Sequence, residues 1–403
     1  LGICFPIIMM INAFANLFGT GGSPICAMEQ GKGDYEEAQK VMGNTCTLLV
    51  AAGLALMILG MVFNRPLLYA FGASDITYPY ARDYALIYLA GTVFVMISLG
   101  MNGFINNQGF ARTGMMTVVV GAIMNIILDP VFIFVFDMGV QGAAIATVLS
   151  QMVSALWVLR FLTGKTTTLH LRPAVMRLKL SRVKNITVLG LTGFMMQFTN
   201  SVVQIVCNST LQTWGGDLYV GVMTVMSSIR EIFNMPAMGL TNGAQPVMSF
   251  NYGAGQYDRV KKAIKFTAAT GVIMFTVLWG IVTVFPAFFV HIFNSDPKMI
   301  EACVPVMHIY FFGLFMMSLQ FCGQSIFVAL GKAKYAIFFS IFRKIIIVVP
   351  LTILLPGMWN LGTNGVFAAE PVSNFVGGAA CFITMLCVVM PELNGKKKKS
   401  QVV

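Results

Sequence analysis

The sequence predicts an all-α polytopic membrane protein arranged as two parallel helical repeats. Three observations carry that prediction. Hydrophobic residues make up 57% of the chain and charged residues only 10%, with a mean hydropathy of +0.79; globular domains carry about 25% charged residues. Apolar runs of about 20 residues recur along the whole length, each sufficient to cross a bilayer. The two halves of the chain also match each other at a fixed offset. In lipid every backbone polar group needs an internal partner, so the apolar runs must be helices.

Eleven spans are expected, near 1–27, 38–63, 79–106, 113–137, 140–163, 183–213, 218–248, 260–286, 299–330, 333–356 and 364–390. The connector 160–184 holds Arg160, Lys165, Arg172, Arg177, Lys179, Arg182 and Lys184 and no acid, which places it in the cytoplasm by the positive-inside rule. Alternating sides from there leaves 20 Lys/Arg inside and three outside (Arg65, Arg82, Lys298), with Arg230, Arg343 and Lys344 inside spans. The net charge of +11 is thus mostly a topology signal. The bases are spread over separate loops, which argues against a nucleic-acid partner. The C-terminus is expected in the cytoplasm of a multi-pass cell-membrane protein. Its "KKKK" run at 396–399 reads as a solvated end, or as a contact for anionic lipid.

The eight cysteines (4, 26, 46, 207, 303, 322, 381 and 387) form no CxxC pair, so neither a disulfide framework nor a zinc site is suggested. Three scattered histidines add nothing to a metal case. The piece "GKTT" at 164–167 has Leu159 where a phosphate loop needs its first glycine. No cofactor is expected. Uphill transport would therefore draw on a gradient of H⁺ or Na⁺.

The repeat pairs "GGSPICAMEQGKGDYEEAQK" (21–40) with "GAQPVMSFNYGAGQYDRVKK" (243–262) at an offset of 222. Gly21, Pro24, Gly31, Gly33, Tyr35 and Lys40 meet Gly243, Pro246, Gly253, Gly255, Tyr257 and Lys262. Gly109 and Ala111 meet Gly331 and Ala333, and "GVQGAAIAT" (139–147) meets "GTNGVFAAE" (362–370) after a slip of one residue. An even number of spans per unit makes the repeats parallel, a transporter pattern. The expected organisation is an N-terminal bundle at 1–163, a basic linker at 164–182, a C-terminal bundle at 183–390 and a basic tail at 391–403. By the same arithmetic the partner of span 183–213 would precede Leu1, so a first helix is expected upstream of this sequence.

Polar stripes run along several spans. Residues three and four apart share a helix face. One stripe holds Gln197, Ser201, Gln204, Asn208 and Gln212, with Asn200 beside it. Others hold Tyr84, Tyr88, Gly91, Ser98, Asn102 and Asn106; Gly121, Asn125 and Asp129; and Thr147, Gln151 and Ser154. Single members serve as interhelical glue, while their clustering points to a water-accessible cleft. The stretch "NIILDP" (125–130) is the most telling. A charged Asp at a helix centre costs about 2.5–3.5 kcal/mol even on the insertion scale. Asn125 lies one turn before Asp129 on the same face, and Pro130 cannot donate to the Ile126 carbonyl. A carboxyl deep in its span, an amide and a loose carbonyl, with no base on that face, suit a proton or Na⁺ better than a structural cap.

The stretches "NQGFARTGMMTVVVGAIMNIILDPVFIFVFDMGVQGAAIATVLSQ" (107–151) and "MPAMGLTNGAQPVMSFNYGAGQYDRVKKA" (235–263) resemble the multidrug and toxic compound extrusion (MATE) transporters, nearest their bacterial drug-exporter branches. The resemblance covers nearly the whole chain. It implies twelve helices in two six-helix bundles, of which eleven are present. It also implies a central V-shaped cavity and export of cationic and amphipathic compounds against inflowing H⁺ or Na⁺. The family's cation site implies roles for Tyr84, Asn102, Asn125, Asp129 and Thr147. A further family acid lies on the first helix. Some branches carry an acid on the seventh, where "FMMQFTNSVVQ" is neutral here.

Gln197, Asn200, Ser201, Gln204, Asn208 and Glu370 are the candidates for the substrate cavity. Glu370 is the repeat counterpart of Thr147 and stands just before Pro371. Structural pairing is the simpler reading for Glu370 and for the neighbours Arg230 and Glu231. Arg343 either attracts an anionic group or anchors its helix. The expected function is cation-coupled export of small-molecule drugs or metabolites by a monomer in the bilayer. A lipid-linked precursor flippase is the alternative, and would need a basic central cleft. A membrane-embedded enzyme would need a catalytic cluster that the sequence does not offer.

Overall fold

The computed structural model describes residues 4–71, 73–358 and 360–400, with the side chains of 396–400, and so of the "KKKK" run, outside the described residues. The chain divides into two compact units, Leu1–Phe194 and Met195–Val403. The first holds α1 (Phe5–Gly31), α2 (Tyr35–Val62), α3 (Asn64–Ala70), α4 (Tyr78–Ala90), α5 (Thr92–Gly100), α6 (Asn102–Asn107), α7 (Ala111–Pro130) and α8 (Gly139–Thr163). It also holds the opening turns of α9 (Leu180–Gly253), a 74-residue helix broken at Gly216. The second holds the rest of α9, then α10 (Tyr257–Val284), α11 (Pro286–Phe293), α12 (Pro297–Tyr310), α13 (Leu314–Ala329), α14 (Ala333–Ile341), α15 (Val349–Leu354), α16 (Thr363–Ser373) and α17 (Ala379–Ser400). Each of the eleven expected spans is mainly helical in its described residues, with breaks such as those at 91, 285 and 311–313.

Local chemistry sets several ends. The Asp34 side chain accepts from the Glu37 N–H at 2.9 Å, and Glu36 and Glu37 add negative charge to the first turn of α2. The turn before it needs Gly33, at φ +83°; its repeat partner Gly255 has φ +70°.

The repeat seen in the sequence recurs in the breaks. Span 79–106 is α4 followed by a second segment bent by 54°, and span 299–330 is α12 followed by α13, bent by 56°. The breaks fall at Gly91 and Gly313, which are 222 residues apart. The short helices α3 and α11 begin at Asn64 and Pro286, again 222 apart.

Each unit has its own core. In the first, Met42, Leu49, Leu89, Met96 and Phe104 are fully enclosed. In the second, Phe275, Phe311 and Phe367 anchor one cluster, and Phe327, Phe339 and Met385 another. Helices in lipid gain from close packing rather than from exclusion of water, so small residues sit where they touch. A Cβ on Gly190 of α9 would fall on the Leu17 carbonyl of α1, and one on Gly21 would fall on the Ile186 carbonyl.

These contacts hold the opening turns of α9 in the first unit, which ends at Phe194. The connector is docked on the first unit. Asn44 of α2 donates to the Arg177 carbonyl at 2.8 Å and accepts from the Lys179 N–H at 2.9 Å. Thr47 donates to the Met176 carbonyl at 2.8 Å. Gln108 Oε1 accepts from the Thr167 hydroxyl at 2.6 Å and from the backbone N–H of Thr168 and Leu169. Arg182 grips Glu37 through Nε at 2.5 Å and Nη2 at 2.6 Å.

Gly190→Ala should therefore destabilise the protein by about 1–3 kcal/mol through overpacking. Gly239→Ala, where an added Cβ meets nothing within 4 Å, should be neutral or slightly stabilising. Thermal unfolding of the two purified variants separates these outcomes; equal melting temperatures would remove the close-packing argument.

Candidate functional site

The site is built on α7 in the first unit. Asn125 and Asp129 stand one turn apart, both half-buried, and Asn125 Nδ2 donates to Asp129 Oδ1 at 3.2 Å. Pro130 follows and has no N–H to offer. The chain leaves α-geometry directly after it, in a π-helical stretch at Val131–Val135, a distortion that is frequent at functional sites. Asp129 lies six residues before the end of the apolar segment Ala111–Val135, nearer its end than the sequence reading had it. Among the described residues it makes no ion pair.

α8 runs antiparallel to α7. Ser154 Oγ donates to the Thr117 carbonyl at 3.0 Å, and Gly142 lies against the Phe132 carbonyl. That register brings Thr147 level with Asn125. The Thr147 hydroxyl bonds back to the Ala143 carbonyl at 2.9 Å. The Tyr84 hydroxyl approaches the Thr147 side chain and lies within electrostatic reach of Asp129. Its ring is buried and stacked on Tyr88, with centroids 6.0 Å apart and planes 12° from parallel. Tyr84, Asn125, Asp129 and Thr147 thus share one layer. A carboxyl, an amide and two hydroxyls with no cation among them form a set of hard oxygen donors, suited to a proton or a hard cation.

Asn102 does not join them. Its Oδ1 lies 3.2 Å from where a Cβ on Gly114 would stand, near the start of α7. Gly114 is fifteen residues from Asp129, about 22 Å along a helix. The Asn102 Oδ1 is buried without a hydrogen-bond partner. The discrepancy was readable beforehand: eighteen residues part Tyr84 from Asn102, about 27 Å of helix, too far for one layer. Much of the remaining polar stripe is glue, as in the 2.6 Å bond from the Ser98 hydroxyl to Gln151 Oε1.

The α9 stripe borders the buried face of that helix, which carries Val203, Cys207 and Leu211. Gln197 and Ser201 are exposed, and Asn200, Gln204 and Asn208 are half-buried. Gln204 donates to Asn208 at 3.1 Å and accepts from the Ser227 hydroxyl at 3.2 Å, while the Ser201 hydroxyl bonds to the Gln197 carbonyl.

Glu370 lines no open face; it is 5% exposed, inside an ion cluster of the second unit. Lys344 Nζ lies 3.1 Å from its Oε1, Arg343 Nη1 3.3 Å and Arg230 Nη1 3.7 Å. Arg343 also donates to Asn374 Oδ1, and Arg230 to the Tyr310 hydroxyl at 2.8 Å. Structural pairing of Glu370 and Arg230 was expected. Their meeting at one point was not, and Lys344, Asn374 and Tyr310 were not singled out for it. The available signal was the repeat, since Tyr310 is the counterpart of Tyr88 at the offset of 222.

The model of the MatE family matches residues 1–131 and 194–354. The chain is 24% identical over 361 residues to the multidrug export protein MepA of Staphylococcus haemolyticus (strain JCSC1435), covering 90% of this chain and 79% of the relative. The MepA of Staphylococcus aureus (strain NCTC 8325 / PS 47) is 22% identical over the same shares. Among solved structures, a crystal structure of MATE in the bent conformation superposes with a TM-score of 0.92 at 24% identity, over 99% of this chain and 88% of that one. At that identity the likeness establishes the fold. With the family model covering more than half of the sequence, the chain belongs to the MatE family of multidrug and toxic compound extrusion transporters.

Proposed function

We propose that this protein is a secondary active antiporter. It exports small, often cationic or amphipathic compounds across the cell membrane in exchange for inward-moving H⁺ or Na⁺, with its C-terminus in the cytoplasm. The names of the relatives support the cargo half of this reading. The coupling half rests on one observation: the hydrogen-bonded Asn125–Asp129 pair makes no ion pair among the described residues and stands against a break in its own helix.

Asp129 is the group that takes up and releases the coupling ion. Asn125 holds the carboxyl in place through its amide and serves either protonation state. Thr147 and Tyr84 add hydroxyls at the same level. The π-helical stretch after Pro130 gives α7 a point at which its outer end can reorient when the charge of Asp129 is cancelled. A carboxylate with only neutral partners is costly in a dry site, so its ion occupancy and the access of water are linked. The stripe Gln197, Asn200, Ser201, Gln204 and Asn208 is proposed to meet cargo in water, where its half-satisfied amides can bond to polar groups.

Asp129→Asn should fold and insert yet lose gradient-driven dye efflux from vesicles by roughly two orders of magnitude, as expected when the group that moves the proton is removed. Uphill efflux at the wild-type rate would end the coupling role.

In a background freed of native cysteine, Gln204→Cys and Asn208→Cys should react with a small polar thiol reagent in membranes. Val203→Cys and Leu211→Cys, on the buried face, should resist it. Uniform labelling of all four would remove the water-facing assignment of the stripe.

A further inference from the structure

We propose that the cluster of Arg230, Arg343, Lys344 and Glu370 in the second unit is a binding site for the carboxylate of a small organic molecule. The inference goes beyond cation-coupled export and does not depend on it.

The first argument is charge. Three basic side chains meet one carboxylate, so bases outnumber acids in the cluster, and the two beside Glu370 on the neighbouring helix are nearly sealed from solvent: Arg343 and Lys344 are each 6% exposed. The other titratable neighbours do not restore the balance. Tyr310 and Cys207 are neutral groups, and Glu231 is exposed and bonded to Asn234. Buried charge in this excess is strongly unfavourable unless an anion accompanies it.

The second argument is an unused donor. The hydrogen bonds of the Arg343 guanidinium leave from Nη1, to Glu370 and Asn374. Its Nε is buried with no partner. A guanidinium edge that includes Nε matches the two oxygens of a carboxylate in a bidentate pair, a geometry that a spherical ion does not exploit. Glu370 already fills one position of the cluster as an internal carboxylate, and the external one adds to it.

The third argument is the backbone. Arg343 and Lys344 lie in a π-helical stretch at Phe342–Val348, and Glu370 precedes Pro371 and a second such stretch at Asn374–Gly378. Gly377 leaves room for the Arg343 stem, whose carbons would clash with any added Cβ. Both helices that frame the cluster are thus distorted where it forms, as at many binding sites.

Sodium benzoate, titrated into the purified protein in lipid nanodiscs, should bind saturably and raise the melting temperature. Arg343→Gln and Lys344→Met should each weaken binding roughly tenfold or more, since each removes a charged partner of the anion. Asp129→Asn should bind benzoate as the wild type does, so that this inference and the export reading fail separately. No saturable binding to the wild type, or undiminished affinity in both cluster variants, would overturn the proposal. An equal thermal shift from sodium chloride at the same concentration would overturn the carboxylate assignment. Should Arg343→Gln not fold, Lys344→Met alone decides between these results.

Discussion

A charge withdrawn from water must find compensation close by, and this requirement organises both halves of the molecule. The chain has few charges within its apolar helices and uses them in two ways. In the second unit they gather around Glu370, with contacts of 3.1 to 3.7 Å that no single helix could provide. In the first unit Asp129 accepts from the Asn125 amide, lies within electrostatic reach of the Tyr84 hydroxyl, and makes no ion pair among the described residues. An unpaired carboxylate costs about 2.5–3.5 kcal/mol at a helix centre on the insertion scale and less toward the helix end, where Asp129 lies. Under the proposed function, this half-exposed carboxyl beside a helix break is the group that takes up the coupling ion.

The two units share a scaffold and differ in chemistry. Breaks at Gly91 and Gly313, short helices at Asn64 and Pro286, and turns at Gly33 and Gly255 all repeat at the offset of 222. The polar residues do not repeat in kind. Thr147 answers to Glu370, and Gly121 to Arg343, while Tyr88 and Tyr310 keep their identity. Backbone geometry depends on glycine and proline placement, which tolerates little change; the polar layer inside it is free to diverge once each charge has an answer.

The helices and their repetition were legible in the sequence because both depend on local pattern: apolar length, glycine position and charge between spans. The layer of Tyr84, Asn125, Asp129 and Thr147 was partly legible, because i to i+4 spacing fixes Asn125 against Asp129. Asn102 was placed with it on the family resemblance alone, and the structure sets its side chain near Gly114, toward the other end of α7. The docking of the connector was not legible: Asn44 and Gln108 reach residues more than fifty positions away, and nothing local marks an amide as a long-range clasp. The ion cluster has the same character, since Arg343 and Glu370 are 27 residues apart and Arg230 lies on another helix again. Opposite charges in separate apolar spans announce that partners exist, but only packing decides which.

The central claim is that Asp129 binds the coupling ion. Infrared difference spectroscopy of the reconstituted protein reads this directly, by exchanging the medium between high and low pH at fixed Na⁺, and then between Na⁺ and a large organic cation at fixed pH. The account expects one of these exchanges to produce a carboxyl difference band in the wild type that is absent from Asp129→Asn. Identical difference spectra from the two proteins in both exchanges would contradict it.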